Sequence, residues 1–382
     1  MNQNDSFLNL QTSIILNILS RLPPKTISQC RCVCKTFLSL ISTPEFVNLN
    51  LSKSPETLLL HHLDSSDWEP KFTVLEFKKG PKKPHQIHSD PLIQFDLRKC
   101  IPEAAAGLTM VGSVNGLICL NEFENDRVYI CNPTIREYIT LPMAELGERV
   151  YPSLVAYGFG LGLTSAQYKV IRIFQEKKLP RTYRSEVQIY TIGSGAWRKV
   201  VNVPFQGSFR LHGVFLKGNL YWWIDDDGEE GCCSEFISCF DVEEEVFIPF
   251  PSPPELRKND LGCVGVIGDR LCVCDNTSRF EIVVWVMNEC GEERLWNKEM
   301  VIEKSPILPV GHFYEVVYAL KVLDDGEILF AWQENSFFLY NPATKTVKIT
   351  DISEPNFEAK IYFPSFVSLQ KCVTEEIKKF LS

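Results

Sequence analysis

The spacing of apolar residues divides the chain into two unequal parts. In the first part, from Leu10 to Leu22, the apolar positions recur at i, i+1, i+4, i+5 and i+8, namely Ile14, Ile15, Ile18, Leu19 and Leu22. This spacing places them on one broad face of a helix. From about residue 58 onward, apolar residues instead occur in short runs rich in β-branched and aromatic side chains, which is typical of strands. We therefore predict a mainly β protein with a small α-helical head.

Prolines divide the head into three predicted helices. Pro23 and Pro24 end the first helix, and Pro24 also suits the first turn of a second. A third helix is predicted to stop before Pro44, with one apolar side made of Val33, Phe37, Leu40 and Ile41. Three helices of this size have more apolar surface than they can bury among themselves. The surplus face could pack on the rest of the chain or bind a helical partner.

The β part repeats a unit of strand, polar turn and strand. Its copies begin roughly 45 to 60 residues apart, which is the period of propeller blades. A further hairpin turn precedes most copies, at Asn115-Gly116, Gly218-Asn219, Gly268-Asp269 and Asp325-Gly326. Two hairpins per period give four strands per blade, and the length of this part predicts a β-propeller of about six to eight blades. The copies begin at Val128, Val187, Phe236, Ile282 and Phe337.

Two features of these strands are interpreted as packing. The run Gly158-Phe-Gly-Leu-Gly162 lacks the last glycine of G-x-G-x-x-G and opens no helix, so its glycines are predicted to let a strand approach its neighbours rather than bind phosphate. Six tryptophans lie on or beside the strands and are predicted to fill the layers between blades, namely Trp197, Trp222, Trp223, Trp285, Trp296 and Trp332.

Composition and charge narrow the classes of partner. The 382 residues are 45% hydrophobic and 23% charged, as in an ordinary globular protein, and the net charge of −9 opposes binding to nucleic acid. No apolar stretch approaches the roughly 20 residues that span a bilayer, so no membrane partner is predicted. Most of the 14 cysteines lie in apolar runs and no secretory leader is recognisable. We expect reduced thiols and a location in the cytosol or the nucleus.

No catalytic or metal-binding pattern accompanies this fold. The chain has no C-x-x-C pair, and its six histidines form no set with ligand spacing, so neither a metal nor another cofactor is predicted. A propeller enzyme would need convergent carboxylates or a metal set at the propeller mouth, and the sequence offers no spacing for either. The chain is therefore predicted to be non-catalytic.

The head resembles a known motif. Residues from Leu10 to Phe46 closely resemble the plant F-box, with two departures: Gln11 replaces a proline and Phe37 replaces a tryptophan. Both would reduce affinity for the family's partner without changing the binding mode. The matching residues are Ile14, Ile18, Leu19, Arg21, Leu22, Pro23, Lys25, Thr26, Ile27, Arg31, Val33, Cys34, Lys35, Phe37, Ser39, Leu40, Ile41, Thr43, Pro44 and Phe46.

The β part resembles the F-box-associated interaction domain, a relative of the kelch propeller. The resemblance divides the chain into an F-box at 6–47, a linker at 48–57, a propeller-like domain at 58–371 and a C-terminal tail at 372–382. Among the segments that carry it are Gly112-Ser-Val-Asn-Gly-Leu117, Asn132-Pro-Thr-Ile-Arg-Glu137, Gly218-Asn-Leu-Tyr-Trp222 and Tyr340-Asn-Pro-Ala-Thr-Lys345.

Together the two resemblances imply the substrate-recognition subunit of an SCF ubiquitin ligase. The head would bind a Skp-type adaptor and, through it, a cullin, while the propeller would bind a protein substrate for ubiquitination and degradation. The alternative is a propeller scaffold that acts without a cullin and whose head packs internally. The resemblance assigns adaptor binding to Leu10, Ile14, Ile18, Leu19, Leu22, Pro23, Val33, Phe37, Leu40 and Ile41.

Two charged segments are candidates for substrate binding. An acidic run begins at Asp225 directly after Trp222-Trp223, and a basic run lies between Lys177 and Arg184. Both could equally be solvated hairpin tips, as charged runs at turns usually are. The candidate substrate-binding residues are Trp223, Asp225, Asp226, Asp227, Arg181 and Arg184.

Overall fold

The fold is taken from a computed structural model of the whole chain. The structure describes residues 10–62, 71–78, 86–87, 93–96, 101, 107–144, 155–178, 182–200, 208–209, 212–225, 237–256, 262–290, 293–304, 316–332, 336–350, 357–371 and 375–380.

The head is helical, as predicted, but contains one helix more than the sequence indicated. Pro44 ends one helix and also begins the next, because Thr43 accepts a hydrogen bond from the Phe46 N–H and caps the new helix. Val33 ends the second helix rather than lying on the third, because Cys34 is extended (φ −157°). The described helices are α1 (Thr12–Leu19), α2 (Pro24–Val33), α3 (Lys35–Ile41) and α4 (Pro44–Leu51).

The described strands form six antiparallel sheets, and the predicted propeller is confirmed with six blades. The first comprises β1 (Thr57–His62), β2 (Lys71–Lys78), β3 (Gln86–Ile87) and β4 (Ile93–Asp96), and the second β5 (Leu108–Val114), β6 (Leu117–Glu122), β7 (Arg127–Asn132) and β8 (Glu137–Thr140). The third comprises β9 (Val155–Leu161), β10 (Tyr168–Lys178), β11 (Thr182–Thr191) and β12 (Trp197–Val200).

The remaining blades follow the same order along the chain. The fourth comprises β13 (Ser208–Phe209), β14 (Val214–Leu216), β15 (Asn219–Asp225), β16 (Ile237–Asp241) and β17 (Val246–Ile248). The fifth comprises β18 (Gly262–Ile267), β19 (Arg270–Asp275), β20 (Glu281–Cys290) and β21 (Glu293–Glu303). The sixth comprises β22 (Val317–Val322), β23 (Ile328–Trp332), β24 (Ser336–Asn341) and β25 (Thr346–Ile349).

The C-terminal segment closes the ring in two places. Strand β26 (Phe357–Tyr362) pairs with β1 along its whole length and becomes the innermost strand of the first blade. Strand β27 (Lys378–Lys379) pairs with β8 on the outside of the second blade. The segment at 372–382 therefore contributes a strand and differs from the predicted tail. The segment at 48–57 likewise holds the end of α4 and the start of β1.

The predicted hairpin turns are present, with one shifted by a residue. Asn115 and Gly116 both have positive φ (51° and 78°) and connect β5 to β6. In the fourth blade the turn residues are Lys217 and Gly218 (47° and 85°), because Asn219 already begins β15. These tight turns place inner strands β5 and β14 directly against their neighbours in the blade.

The core lies between the blades and is filled by large aromatic residues, as the positions of the tryptophans in the sequence indicated. Trp222 is 1% exposed and packs with residues of the third and fourth blades. Its Nε1 donates to the Tyr157 carbonyl at 3.1 Å. A Cβ at Gly158 would lie 2.5 Å from the Trp222 ring, so this glycine permits the close approach of two blades. The interpretation of the Gly158–Gly162 run as packing agrees with this contact.

Candidate binding surfaces

The inner face of the head packs against the propeller. Ile15, Leu16 and Leu19 of α1 are buried together with Ile27, Ile41 and Phe46, and this cluster also includes two propeller residues, Ile135 and Phe366. Phe46 and Phe366 meet edge to face with their ring centroids 6.1 Å apart. The Arg31 guanidinium lies 5.9 Å from the Phe366 centroid, and burial lowers its pKa. The head is therefore anchored to the rim of the second blade.

The opposite face of α1 is apolar and exposed. Ile14 and Ile18 lie one helical turn apart on this face, and Leu10 lies two residues before the helix begins; each of the three is at least 40% exposed. Val33 at the end of α2 is 68% exposed, and Leu38 of α3 is 43% exposed. We call these five side chains the outward face. Apolar side chains left exposed on a small helical unit are candidates for contact with a partner.

The predicted adaptor-binding residues divide between this surface and the interior. Leu10, Ile14, Ile18, Pro23 and Val33 are exposed, while Leu22, Phe37 and Leu40 are half-buried. Leu19 (3% exposed) and Ile41 (1%) lie in the core of the head and could act on a partner only by holding the helices in place. Sequence periodicity could not separate the two faces, because the apolar stripe of α1 is wide enough to cover both.

A segment at 363–369, which we call the strap, connects the head, the second blade and the centre of the propeller. It follows inner strand β26 directly. The Ser54 hydroxyl donates to the Pro364 carbonyl at 2.6 Å, and the Ser365 hydroxyl donates to the Asn115 carbonyl at 2.6 Å. The buried Asn132 amide donates to the carbonyls of Ser365 (3.1 Å) and Val367 (2.9 Å). The strap could not be predicted from the sequence, because no local pattern shows where an irregular segment packs.

The candidate substrate-binding residues are only partly described. Asp226, Asp227 and Arg181 lie outside the described residues. Asp225 ends β15 and Arg184 lies in β11, and the positions of their side chains are not described. Trp223 is 4% exposed and packs in the cluster between the fourth and fifth blades. It is therefore a core residue that supports the blade, and only its edge lines the central cavity described below.

The strand directions place the charged segments away from the head. In the second blade the turns from β5 to β6 and from β7 to β8 emerge on one side, and Ile135 in the latter contacts the head. Because strands in a blade are antiparallel, β10 ends and β15 ends on the opposite side. Asp225, the end of β10 and the start of β11 thus lie on the side of the propeller opposite the head.

A cavity of about 400 Å³ occupies the centre of the propeller. Inner strands of all six blades contribute to its wall, which includes Ser113, Phe159, Phe215, Val266, Tyr318 and Lys360. Burial raises the pKa of the Tyr318 hydroxyl, which accepts a hydrogen bond from the Ala359 N–H at 3.1 Å. His212 also lines the cavity, and burial lowers its pKa to about 4, so the ring is neutral near pH 7.

The described residues contain neither a metal-binding cluster nor a membrane-spanning helix. Among them, no three His, Cys, Asp or Glu side chains are grouped so that they could hold a metal ion. Within the same ranges, none of the helices is both long and apolar enough to cross a membrane.

Comparisons with known proteins agree with this architecture. The model of a family described as the F-box associated beta propeller domain matches residues 71–374, which is more than half of the chain. The chain belongs to this family. A model of the F-box domain also matches residues 7–49, where the four helices lie. Both resemblances inferred from the sequence are therefore confirmed.

Several proteins of Arabidopsis thaliana are similar to this F-box protein over most of its length. F-box protein At3g07870 is 26% identical over 373 residues, covering 87% of this chain and 85% of the relative. Another F-box protein of this species, At1g53550, is 30% identical over 305 residues, covering 76% of this chain and 70% of the relative. F-box/kelch-repeat protein At3g23880 is 24% identical over 326 residues, covering 77% and 79%.

Solved structures give only distant likenesses. The six-bladed fungal lectin from Aleuria aurantia aligns with a TM-score of 0.37 and 11% identity, covering 79% of this chain and 97% of the lectin. The WD40 domain of SCAP from fission yeast aligns with a TM-score of 0.33 and 9% identity, covering 78% and 74%. Similarities at this level carry no argument about the ligand.

Proposed function

We propose that this F-box protein is the substrate-recognition subunit of an SCF ubiquitin ligase. The observation that carries the proposal is the outward face, where Leu10, Ile14 and Ile18 stay exposed while the other side of α1 is anchored to the propeller. A Skp-type adaptor, and a cullin through it, would bind this face by covering its apolar side chains. The membership of the F-box family supports the same role.

The propeller would hold the protein substrate. The chain itself would perform no bond chemistry and would contribute proximity, because a tethered substrate lysine meets the conjugating enzyme at a high effective concentration. The side opposite the head, where β10 and β15 end, is the candidate substrate surface. Anchoring of the head through Phe366 supports this role, since it holds adaptor and substrate on opposite sides of one body. This activity is expected in the cytosol or the nucleus.

The test is co-expression with a plant Skp-type adaptor followed by size-exclusion chromatography. The test variant carries two substitutions at exposed positions, Ile14→Asp and Ile18→Asp. It should elute apart from the adaptor. Desolvating unpaired carboxylates at such a surface costs roughly 2–5 kcal/mol. Phe280→Asp is the matched control, because Phe280 is an 82% exposed apolar residue of the propeller. The control should co-elute like the unchanged protein.

A cullin-free scaffold is the alternative function. The observation that favours it is the packing of Ile15, Leu16 and Leu19 against the propeller, which gives the head an intramolecular role. Separate elution of well-folded unchanged protein and adaptor would support the scaffold and contradict the ligase role. Co-elution of the Ile14→Asp, Ile18→Asp variant would show that the adaptor contacts another surface.

A further inference from the structure

The wall of the central cavity is largely apolar and includes several aromatic side chains. Phe159 of the third blade, Phe215 of the fourth and Tyr318 of the sixth all line it. A volume of about 400 Å³ lies in the range of small-molecule sites, which are concave, mostly apolar and fitted with a few polar groups. Most of the wall belongs to paired inner strands, with contributions from turn and loop residues such as Gly268 and Phe363, so the cavity is largely preformed.

Two lysines line this wall, and one of them, Lys321, forms an ion pair with Glu56, which also lines the cavity. The other lysine, Lys360, brings a further positive charge into the wall. Lys360 lies on inner strand β26, and its Nζ donates to the Val111 carbonyl on β5 at 2.8 Å. That carbonyl is its one hydrogen-bond partner among the described residues, and no described carboxylate forms an ion pair with it. Burial lowers the pKa of Lys360, partly offset by Glu358. An ammonium group has three donors, so two remain available to a ligand.

Glu358, the carboxylate near Lys360, already has hydrogen-bond partners within the protein. Glu358 Oε2 accepts hydrogen bonds from the Met110 N–H at 3.0 Å and lies 3.4 Å from His61 Nδ1. Burial acts to raise the pKa of Glu358, but these hydrogen bonds and the charge of Lys360 outweigh it and hold the pKa below its usual value. Glu358 therefore keeps its charge through contacts within the protein. Lys360 is influenced by that charge but forms no ion pair or hydrogen bond with a carboxylate among the described residues.

We propose that the central cavity binds a small organic anion, with its apolar or aromatic body against Phe159, Phe215 and Tyr318 and its charged group on Lys360. A carboxylate or sulfonate would accept the two remaining Lys360 donors in charge-assisted hydrogen bonds. The Ser113 hydroxyl, which also lines the cavity, can donate to the same group. The site is independent of adaptor binding, because the outward face lies on the head and the cavity lies inside the ring of blades.

The experiment titrates the full-length protein with 1-anilinonaphthalene-8-sulfonate and, separately, with N-phenyl-1-naphthylamine, which has the same rings without the sulfonate. We expect saturable one-to-one binding and an affinity about tenfold or more higher for the anion, the factor expected for one charge-assisted hydrogen bond. Lys360→Met should remove this preference and still bind the neutral probe. Lys71→Met is the matched control, because Lys71 is an exposed lysine of the same blade.

A second variant tests whether the probes bind in the central cavity. Val266→Trp places a bulky ring at a half-buried position of the wall and should abolish binding of both probes. The Ile14→Asp, Ile18→Asp variant should bind both probes normally, which excludes the outward face as the site. Equal affinities for the two probes, or full binding by Val266→Trp, would overturn the proposal. If Lys360→Met fails to fold, two other results still test the proposal. These are the affinities of the two probes for the unchanged protein and the binding of both probes by Val266→Trp.

Discussion

At the scale of single residues, one repeated motif serves two different purposes. Asn132 and Asn341 both begin an Asn-Pro turn between the third and fourth strands of a blade, and each Oδ1 accepts a backbone N–H within the turn at 3.0 Å. Only Asn132 is fully buried, and its amide also donates to two carbonyls of the strap. The sequence shows the motif at both places, but the second role depends on what packs against the turn.

We expect Asn132→Ala to destabilise the protein by about 2 kcal/mol or more, because it leaves two strap carbonyls without their donors in a buried place. Asn341→Ala is the matched control and should cost about 1 kcal/mol or less, since the turn it supports is largely exposed. Urea denaturation of both variants measures the difference. Equal losses would mean that the strap contributes nothing through Asn132.

At the scale of elements, helix α1 has two apolar faces with separate roles. Leu16 is 1% exposed and packs in the cluster that anchors the head. Ile18, two positions along the helix, is 40% exposed and belongs to the outward face. A helix that is apolar on most of its circumference needs a partner on each side. The propeller supplies one of them, and the proposed adaptor would supply the other.

Replacing Leu16 and Ile18 separately by alanine should distinguish the anchoring face of α1 from its outward face. Leu16→Ala should destabilise the head by about 3 kcal/mol, as expected for a buried leucine, and should speed amide hydrogen exchange in α1 to α4. Ile18→Ala should cost less than Leu16→Ala, about 1 kcal/mol, because two-fifths of Ile18 is already exposed to solvent. Hydrogen exchange followed by mass spectrometry measures both. Faster exchange in Ile18→Ala than in Leu16→Ala would contradict the assignment of the faces.

At the scale of the whole molecule, stability depends on joining the two ends of the chain. Six residues of β26 pair with six of β1, nearly 300 positions earlier, and the strap and β27 then cross to the second blade. Lys379 forms an ion pair with the buried Glu137 at this second junction. In a propeller closed in this way, the innermost strands keep free edges only toward the central cavity, where they are protected.

Deletion of residues 357–382 should therefore abolish the cooperative thermal transition, because it removes an inner strand of the first blade together with the strap. Deletion of residues 375–382 removes β27 together with the buried Phe380 and the Lys379 ion pair, but leaves β26 and the strap in place. It should lower the melting temperature without abolishing the cooperative transition. Calorimetry of the two shortened chains and the full chain measures their thermal transitions under the same conditions. A chain without residues 357–382 that unfolds as sharply as the full chain would show that closure is dispensable.

The sequence by itself determined the class of the protein. The spacing of Ile14, Ile18 and Leu22 and the prolines at 23, 24 and 44 specify a helical head, and the recurring β unit specifies a propeller. These signals are local, since helix periodicity, strand alternation and turn chemistry depend on residues close in sequence. For the same reason, the family resemblances could be read from ordered runs of residues.

Only the tertiary structure decided how these parts work together. It placed Leu19, Ile41 and Trp223 in the interior, formed the strap, and brought Lys360 from the end of the chain to the centre of a six-stranded inner ring. Such contacts join residues hundreds of positions apart, as with Ser54 and Pro364. Their energies depend on burial and on which blades become neighbours, and neither of these is encoded in the local pattern of apolar and polar residues.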